Sequence, residues 1–407
     1  MSKLDEFIAE LCPDGVEYKE IDEIFELKNG YTPSKRNNDF WENGTVPWFT
    51  LNDIRTNGRL LDDSIQHVTE DGVKGGKLIP KGSIIMSTTA TIGEHALIKV
   101  DALTNQQITS FSLRTSYNNK LDIMFAFYYF FIYGEWCQKN ANQSGGMAII
   151  SLKKLKQFKI PLPPLAVQQE IVRILDNFTE LTAELTAELT ARRKQYEYYR
   201  DLLLTFGDEV EWKTLGEIGK LIRGSGLLKS DFVEEGFPCI HYGQIHTYYG
   251  TSATETISFV SVDKSKKLKK AKKGDVLIAG VSENVEDVCK PLAWLGGDIC
   301  ISGDMFAFRH NQNTKYITYL LQTTDFSRYK EKFAHGAKVT RLRQDKLLAY
   351  KIPVPPLEEQ ERIVAILDRF DALCNDLTSG IPAEIEARQK QYEYYRDKLL
   401  SFKEVTA

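Results

Sequence analysis

The sequence predicts an α+β protein written twice, with two mixed α/β domains separated by two long antiparallel coiled-coil helices and related by a pseudo-twofold internal repeat. Three observations carry this. The octapeptide at residues 194–201, KQYEYYRD, returns unchanged at 390–397. The block Ile160-Pro161-Leu162-Pro163-Pro164-Leu165 returns as Ile352-Pro353-Val354-Pro355-Pro356-Leu357, each followed by an I-V-x-I-L-D stretch, at 171–176 and 363–368. Between these blocks and the start of each half lie about 130 to 140 residues with almost nothing in common.

Each half opens on a matched block, Val16-Glu17-Tyr18-Lys19 with Ile24, against Val210-Glu211-Trp212-Lys213 with Ile218. The dissimilar segments that follow read as α/β. Apolar runs at 83–86 and 275–279, bounded by glycines, are strand-like, whereas 125–136 and 316–321 read as helices. The prolines can neither continue a helix nor donate to a sheet, so each block marks a stiff exit from its domain.

A helix is expected from about residue 168 to 206, nearly 60 Å long at about 1.5 Å per residue. Its apolar positions are Ile171, Ile174, Phe178, Leu181, Leu185, Leu189, Tyr196, Tyr199, Leu203 and Phe206, three and four apart with Arg192 in the one odd place. That is a coiled-coil seam, and the step through Leu181, Leu185 and Leu189 is a stutter that locally unwinds it. The second copy runs through Ile363, Ile366, Phe370, Leu373, Leu377, Ile381, Ile385, Tyr392, Tyr395, Leu399 and Phe402, with a break expected at Gly380 and Pro382. The expected domains are an N-terminal segment (1–16), a first domain (17–160), a proline exit and central helix (161–207), a second domain (208–352), a second exit and helix (353–402), and a tail (403–407).

With 42 % hydrophobic and 27 % charged residues the composition is that of a soluble globular protein. The longest apolar stretch, 125–133, is far short of the roughly 20 residues that span a bilayer, and it reads as core. The first residues are acidic where a signal peptide is basic and apolar, so a cytoplasmic location is expected. Six cysteines without a C-x-x-C pair fit buried thiols in a reducing compartment. There is no phosphate loop, no N-P-P-[YF] or D-P-P-Y motif, and no zinc-ligand spacing among the histidines. Neither a catalytic residue, a cofactor site nor a metal site is therefore expected. A net charge of −4 means that any nucleic-acid face must gather its basic residues on one side.

Two dissimilar domains, each closed by a proline block, I-V-x-I-L-D and a helix ending in Y-E-Y-Y-R-D, resemble the specificity subunits of type I restriction-modification systems. The likeness covers nearly the whole chain and is most specific at 355–364, PPLEEQERIV, and in the two Y-E-Y-Y-R-D segments. Gly30-Tyr31-Thr32-Pro33-Ser34, with Phe40-Trp41 and Pro47-Trp48, matches a pattern that recurs in target recognition domains. The first copy departs from the pattern with Val167 where the second has Glu359, but Gln168 and Gln360 stay aligned. The resemblance implies a non-catalytic subunit in which each domain reads one half of an asymmetric bipartite site in double-stranded DNA. The helices would set the gap and dock two methyltransferase subunits, with two restriction/translocase subunits joining them. S-adenosylmethionine, ATP and magnesium would sit on those partners. The competing reading is a coiled-coil adaptor with two protein-binding domains.

Candidate DNA contacts follow. In the first domain they are Tyr31, Thr32, Ser34, Lys35 and Arg36, with Gln106 and Gln107 as possible adenine readers, although loop glutamines more often only face water. In the second, Arg223 and Ser225 belong to a glycine loop at the place where the first domain has Gly30, a loop that either approaches phosphate or is merely a turn. Seven lysines fall between 264 and 273, with Lys267 and Lys270 as representatives, and suit either a phosphate track or a solvated face. The basic stretch Arg328, Lys330, Lys332, His335, Lys338, Arg341 and Arg343 suits bases or phosphates, Lys338, Arg341 and Arg343 above all. Leu181, Leu185, Leu189, Tyr199 and Tyr395 are assigned to the spacer, where packing suits the tyrosines better than base stacking.

Overall fold

The computed structural model describes residues 3–144, 147–336, 339–376 and 378–405. The chain forms two compact units, one of Met1–Thr182 with Arg388–Ala407, the other of Ala183–Ala387. The helix Leu165–Leu203 is shared, its residues up to Thr182 counting with the first unit and those from Ala183 with the second. Of the expected seam, Leu377 lies outside the described residues.

The unlike sequences fold on one strand order. In the first unit the main sheet runs Phe25–Asn29, Ile108–Leu113, Ile84–Ser87, His95–Ile98, Leu60–Leu61, antiparallel except for its last pair. In the second it runs Gly219–Arg223, Met305–His310, Val276–Ala279, Pro291–Trp294, Ser252–Ala253, again with only the last pair parallel. Even the register agrees: Ile84 faces Phe111, and Val276 faces Phe308. Phe111 and Phe308 are both fully buried. One residue earlier, the Ser83 and Ser112 hydroxyls bond at 2.8 Å, where the second unit has the Arg309 guanidinium forked on Asp275 at 2.8 and 2.9 Å. A smaller sheet in each unit pairs one strand, Val46–Phe49 or Phe237–Ile240, antiparallel on one side and parallel on the other.

The stretch read as core is the helix Ile123–Asn140, whose Phe125, Phe130 and Tyr133 are completely buried. It approaches the turn at Gly93 so closely that a Cβ there would lie 2.7 Å from the Gly134 carbonyl oxygen, and φ at Gly93 is +92°. In the second unit the corresponding layer is Thr314–Leu320 and Thr324–Phe333.

The proline blocks do more than end a domain. Lys159–Leu162 pairs antiparallel with Glu17–Glu20, and Lys351–Val354 pairs with Glu211–Thr214, so that Pro161 faces Tyr18 and Pro353 faces Trp212. A two-stranded ribbon needs an inward donor only from alternate residues, so a proline on the outward positions costs no bond. Helix begins at Leu165 and Leu357.

In each unit a buried glutamine clamps the proline exit to the turn before a helix, at Asp122 in the first and Asn313 in the second. Gln168 accepts from Asp122 N at 2.7 Å and donates to the carbonyls of Lys120 and Pro163. Gln360 accepts from Asn313 N at 3.0 Å and donates to Pro355 O and to the Gln312 side chain. The aspartates of the two I-L-D stretches have matching partners, Tyr128 donating to Asp176 and Tyr319 to Asp368.

Within the second unit the helix Leu357–Asn375 runs antiparallel to the end of the shared helix, with Cys374 near Arg192 and Arg193 and Phe370 stacked on Tyr199. The break falls where glycine and proline place it, between Asn375 and Ile381. There the Asp376 carboxylate accepts from the hydroxyls and backbone of Ser379 and Thr378, which hold its pKa well below the ordinary aspartate value. Helix Ile381–Leu399 then joins the first unit's core through Tyr392, Leu399 and Phe402, with Tyr395 stacked on Phe178. The residues expected as a tail are tied in, since Val16 N donates to Lys403 O and Val405 N to Val16 O.

Candidate nucleic-acid interface

Each unit presents a notch made by the loop after its first sheet strand and the turn before its last. In the first unit the glycine of that loop is there for packing: a Cβ on Gly30 would lie 2.2 Å from Asn105 O. In the second a Cβ on Gly224 would lie 2.0 Å from Ser302 O. Neither chain direction nor phosphate explains these glycines as simply as the close approach of two backbones.

In the first notch Tyr31 is an anchor. Its N–H donates to Thr104 O, its carbonyl accepts from Trp48 Nε1, and its hydroxyl donates to Gly72 O and accepts from Lys74 N. Thr32 donates to the Gln106 side-chain oxygen, bringing those two candidates together on the surface. Gln107 is turned inward, its Oε1 accepting from Asn105 Nδ2 and its carbonyl from Thr88 N. Ser34 holds Trp41 by its carbonyl, and Lys35 Nζ stands 5.9 and 5.8 Å from the rings of Trp41 and Trp48, which meet edge to face. Lys35, Asn38, Trp41, Gln66 and His67 line a cavity of about 400 Å³. Arg36 is exposed.

In the second notch Arg223 donates through Nε to Gly303 O at 3.1 Å. Ser225 accepts at Oγ from Lys269 N and pairs by its backbone with Ile301 and Ser302. Arg341 reaches the same turn, its guanidinium 3.8 Å from the Asp304 carboxylate. Arg223, Ser225 and Asp304, together with His241 and Tyr242, border a cavity of about 360 Å³, and Arg341 stands beside Asp304 outside its lining. Burial lowers the pKa of the His241 imidazole, Lys229 adding to this and Asp304 opposing it, and its Nδ1 accepts from Gly243 N. Arg343 is the N-cap of Gln344–Leu348 and is forked on Asp345 at 3.0 and 3.2 Å. Lys338 lies outside the described residues.

The lysine run divides into two kinds. Lys264 pairs with Asp231, Lys266 with Asp263, and Lys270 lies 4.1 Å from the Phe237 ring. Lys267, Lys269, Lys272 and Lys273 are exposed and carry no ion pair among the described residues. Lys330 departs from the reading of its stretch as a basic surface. Only 5 % exposed, it donates to the carbonyls of Glu286 and Val288 at 2.6 and 3.0 Å, and burial lowers its pKa. Asp304, His241 and Tyr242 gave no sequence signal, because the turn that gathers them is some eighty residues along the chain from Arg223.

On the shared helix Leu181, Leu185 and Leu189 form a half-buried stripe with mostly exposed residues between. Tyr199 and Tyr395 pack on Phe370 and Phe178, as the seam requires, while Tyr198 and Tyr394 are each 63 % exposed.

Comparison with known proteins accords with this layout. The family model for the type I restriction modification DNA specificity domain matches twice, over residues 13–192 and 207–387. The specificity subunit of the type I restriction enzyme EcoprrI of Escherichia coli is 40% identical over 391 residues, 89% of each chain. That of EcoR124I/EcoR124II, also from Escherichia coli, is 43% identical over 265 residues, 62% of this chain and 65% of the relative. A chain from a solved structure concerning complex assembly of the type I restriction-modification system has the same fold, with a TM-score of 0.61 at 19% identity over 95% of this chain and 97% of that one. The chain belongs to the family of type I restriction-modification DNA specificity subunits.

Proposed function

We propose that this chain is the non-catalytic reader of a type I restriction-modification complex, each unit recognising one half of an asymmetric bipartite site in double-stranded DNA. The observation that carries this is the pairing of one strand order with two chemically different notches: hydroxyl and amide groups at Thr32 and Gln106, guanidinium groups at Arg223 and Arg341. A protein reading the same bases twice has no use for such a difference. Four unpaired lysines on the second unit supply phosphate attraction without sequence preference.

The repeat also supports the assembly. Tyr198 and Tyr394 are equally exposed and stand edge to face with Tyr199 and Tyr395 at 5.3 and 5.4 Å, two copies of one surface suited to two identical methyltransferase subunits. Two restriction/translocase subunits complete the complex, and S-adenosylmethionine, ATP and magnesium belong to these partners. The complex works in the cytoplasm; among the described residues no helix is long and apolar enough to cross a membrane. Family membership favours DNA reading over the adaptor alternative.

The test is to delete the gene for this chain and map methylation in its host. A split motif should vanish and return on complementation, and the purified chain alone should transfer no methyl group to DNA. Persistence of every motif, or methyl transfer by the homogeneous chain, overturns the reading.

A further inference from the structure

Building on the DNA-reading function, we infer that the notch of the second unit selects guanine through Arg223 and Arg341, with Asp304 as the positioning residue that holds Arg341. Two guanidinium groups from distant parts of the chain converge on the turn 302–304, one bonded to Gly303 O and the other beside the Asp304 carboxylate. Their backbones are fixed. Arg223 is paired with Phe306 in the main sheet, and Arg341 is paired with Val281 and exchanges both backbone bonds with His335.

The choice between a base edge and a phosphate rests on charge and on which donors are free. Arg223 commits only Nε to the protein, and its terminal nitrogens have no partner among the described residues. Those two nitrogens are a fork that matches guanine O6 and N7. Arg341 is 62 % exposed and the adjoining Asp304 41 % exposed, so DNA entering the notch meets both. A carboxylate there repels a phosphate. Against guanine, whose O6 and N7 are uncharged acceptors, it fixes the guanidinium without competing for the base, and it can accept from the cytosine amino group of the same pair. Arg343 lacks this freedom, because Asp345 occupies its Nε edge. At the corresponding turn of the first unit stand the amides Asn105 and Gln106, the latter bonded to Thr32, with the cations Lys35 and Arg36 further along the loop, as expected if the notch is where the half-sites differ.

The full chain, assembled with its methyltransferase subunits, is allowed to select from duplexes with both half-sites randomised. The informative variants are Arg223→Lys and Arg341→Lys, which keep the charge and lose the fork. Each should cut the preference for guanine at one position of the second unit's half-site by about 5- to 150-fold, while selection at the other half-site stays as in the wild type and shows that the variant is folded and assembled. Asp304→Ala should relax the position that Arg341→Lys relaxes, yet bind unrelated DNA more tightly, because a negative charge has gone. Lysine variants that lower affinity with an unchanged base profile would make these phosphate contacts and overturn the inference, leaving DNA reading intact. An Asp304→Ala profile identical to the wild type would remove the positioning role. Failure of the wild-type assembly to select any sequence would instead refute the function on which the inference rests.

Discussion

Gln168 donates its side-chain amide to the Pro163 carbonyl at 2.6 Å, five residues back across the start of the shared helix. The same side chain satisfies Asp122 N–H and Lys120 O, and Gln360 repeats the arrangement with Pro355 and Asn313. Both glutamines are completely buried. Gln168→Ala leaves several backbone groups unbonded in the interior, and a loss of about 1 to 3 kcal/mol is expected, as is a similar loss for Gln360→Ala. The sites belong to different units, so the double variant should be additive within about 0.5 kcal/mol. Chemical denaturation of the three variants measures this, and losses near zero would show the clamps to be dispensable.

Asp371 gives a pH-dependent prediction. Burial lifts its pKa above the ordinary aspartate value, while hydrogen bonds from Asn375 and Thr251 and the nearby Lys315 oppose the rise. The folded state therefore holds this proton more tightly than the unfolded chain does. Stability from the group is fully present below the unfolded pKa of about 3.9 and is lost as pH rises through the folded value. Asp371→Asn retains an acceptor for Thr251 and Asn375 without the charge. It should be more stable than the wild type at pH 7, and the advantage should disappear as pH falls below the ordinary aspartate range. Denaturation curves of both proteins across that range check the sign; an advantage independent of pH would contradict it.

The divided lysine run predicts divided salt behaviour. Each of Lys267, Lys269, Lys272 and Lys273 that lies on a phosphate should contribute about 0.9 to the slope of log affinity against log salt. Replacing the four by glutamine should flatten that slope, whereas Lys264→Gln and Lys266→Gln, whose charges already face Asp231 and Asp263, should change it less. Anisotropy titrations of the assembled complex on duplex DNA decide this. An unchanged slope in the fourfold variant would move the phosphate path elsewhere.

What could be read from the sequence was what repeats as letters or as a period. The shared helix, its leucine stripe and the break at Gly380 and Pro382 follow from spacing and from two residues that a helix interior disfavours. The common strand order does not, because strand pairing is fixed by apolar fit, and Ile84 with Phe111 does the work of Val276 with Phe308 without sharing a residue type across the first position. Charge clustering misled at Lys330: it stands four residues after Phe326 in Thr324–Phe333, hence on the same buried face, although Arg328 and Lys332, two residues to either side, are exposed cations. Arg223 and Arg341 could each be picked out as candidates, but their meeting at Asp304 is a product of the fold.

The segment 182–189, TAELTAEL, is helical throughout, within Leu165–Leu203. Its leucines are half-buried at every fourth residue, so one Thr-Ala-Glu-Leu unit, of strong or acceptable helix formers, can be inserted after Leu189 without interrupting the stripe or breaking the helix. Four residues add about 6 Å and about 40° to a helix. A base pair adds about 3.4 Å and, with a turn in about 10 to 10.5 pairs, about 35°. Rotation thus matches one base pair, while length falls between one and two. Contacts in a groove are lost quickly when a recognition surface turns about the duplex axis, whereas a small axial mismatch is absorbed by bending, so rotation should prevail. The insertion is expected to widen the preferred gap by one base pair and to leave the bases of both half-sites as they were. Methylation mapping with the variant assembled on its partners measures both quantities at once: an unaltered gap would deny this helix a spacer role, and altered half-site bases would mean that the insertion had reached the reading surfaces.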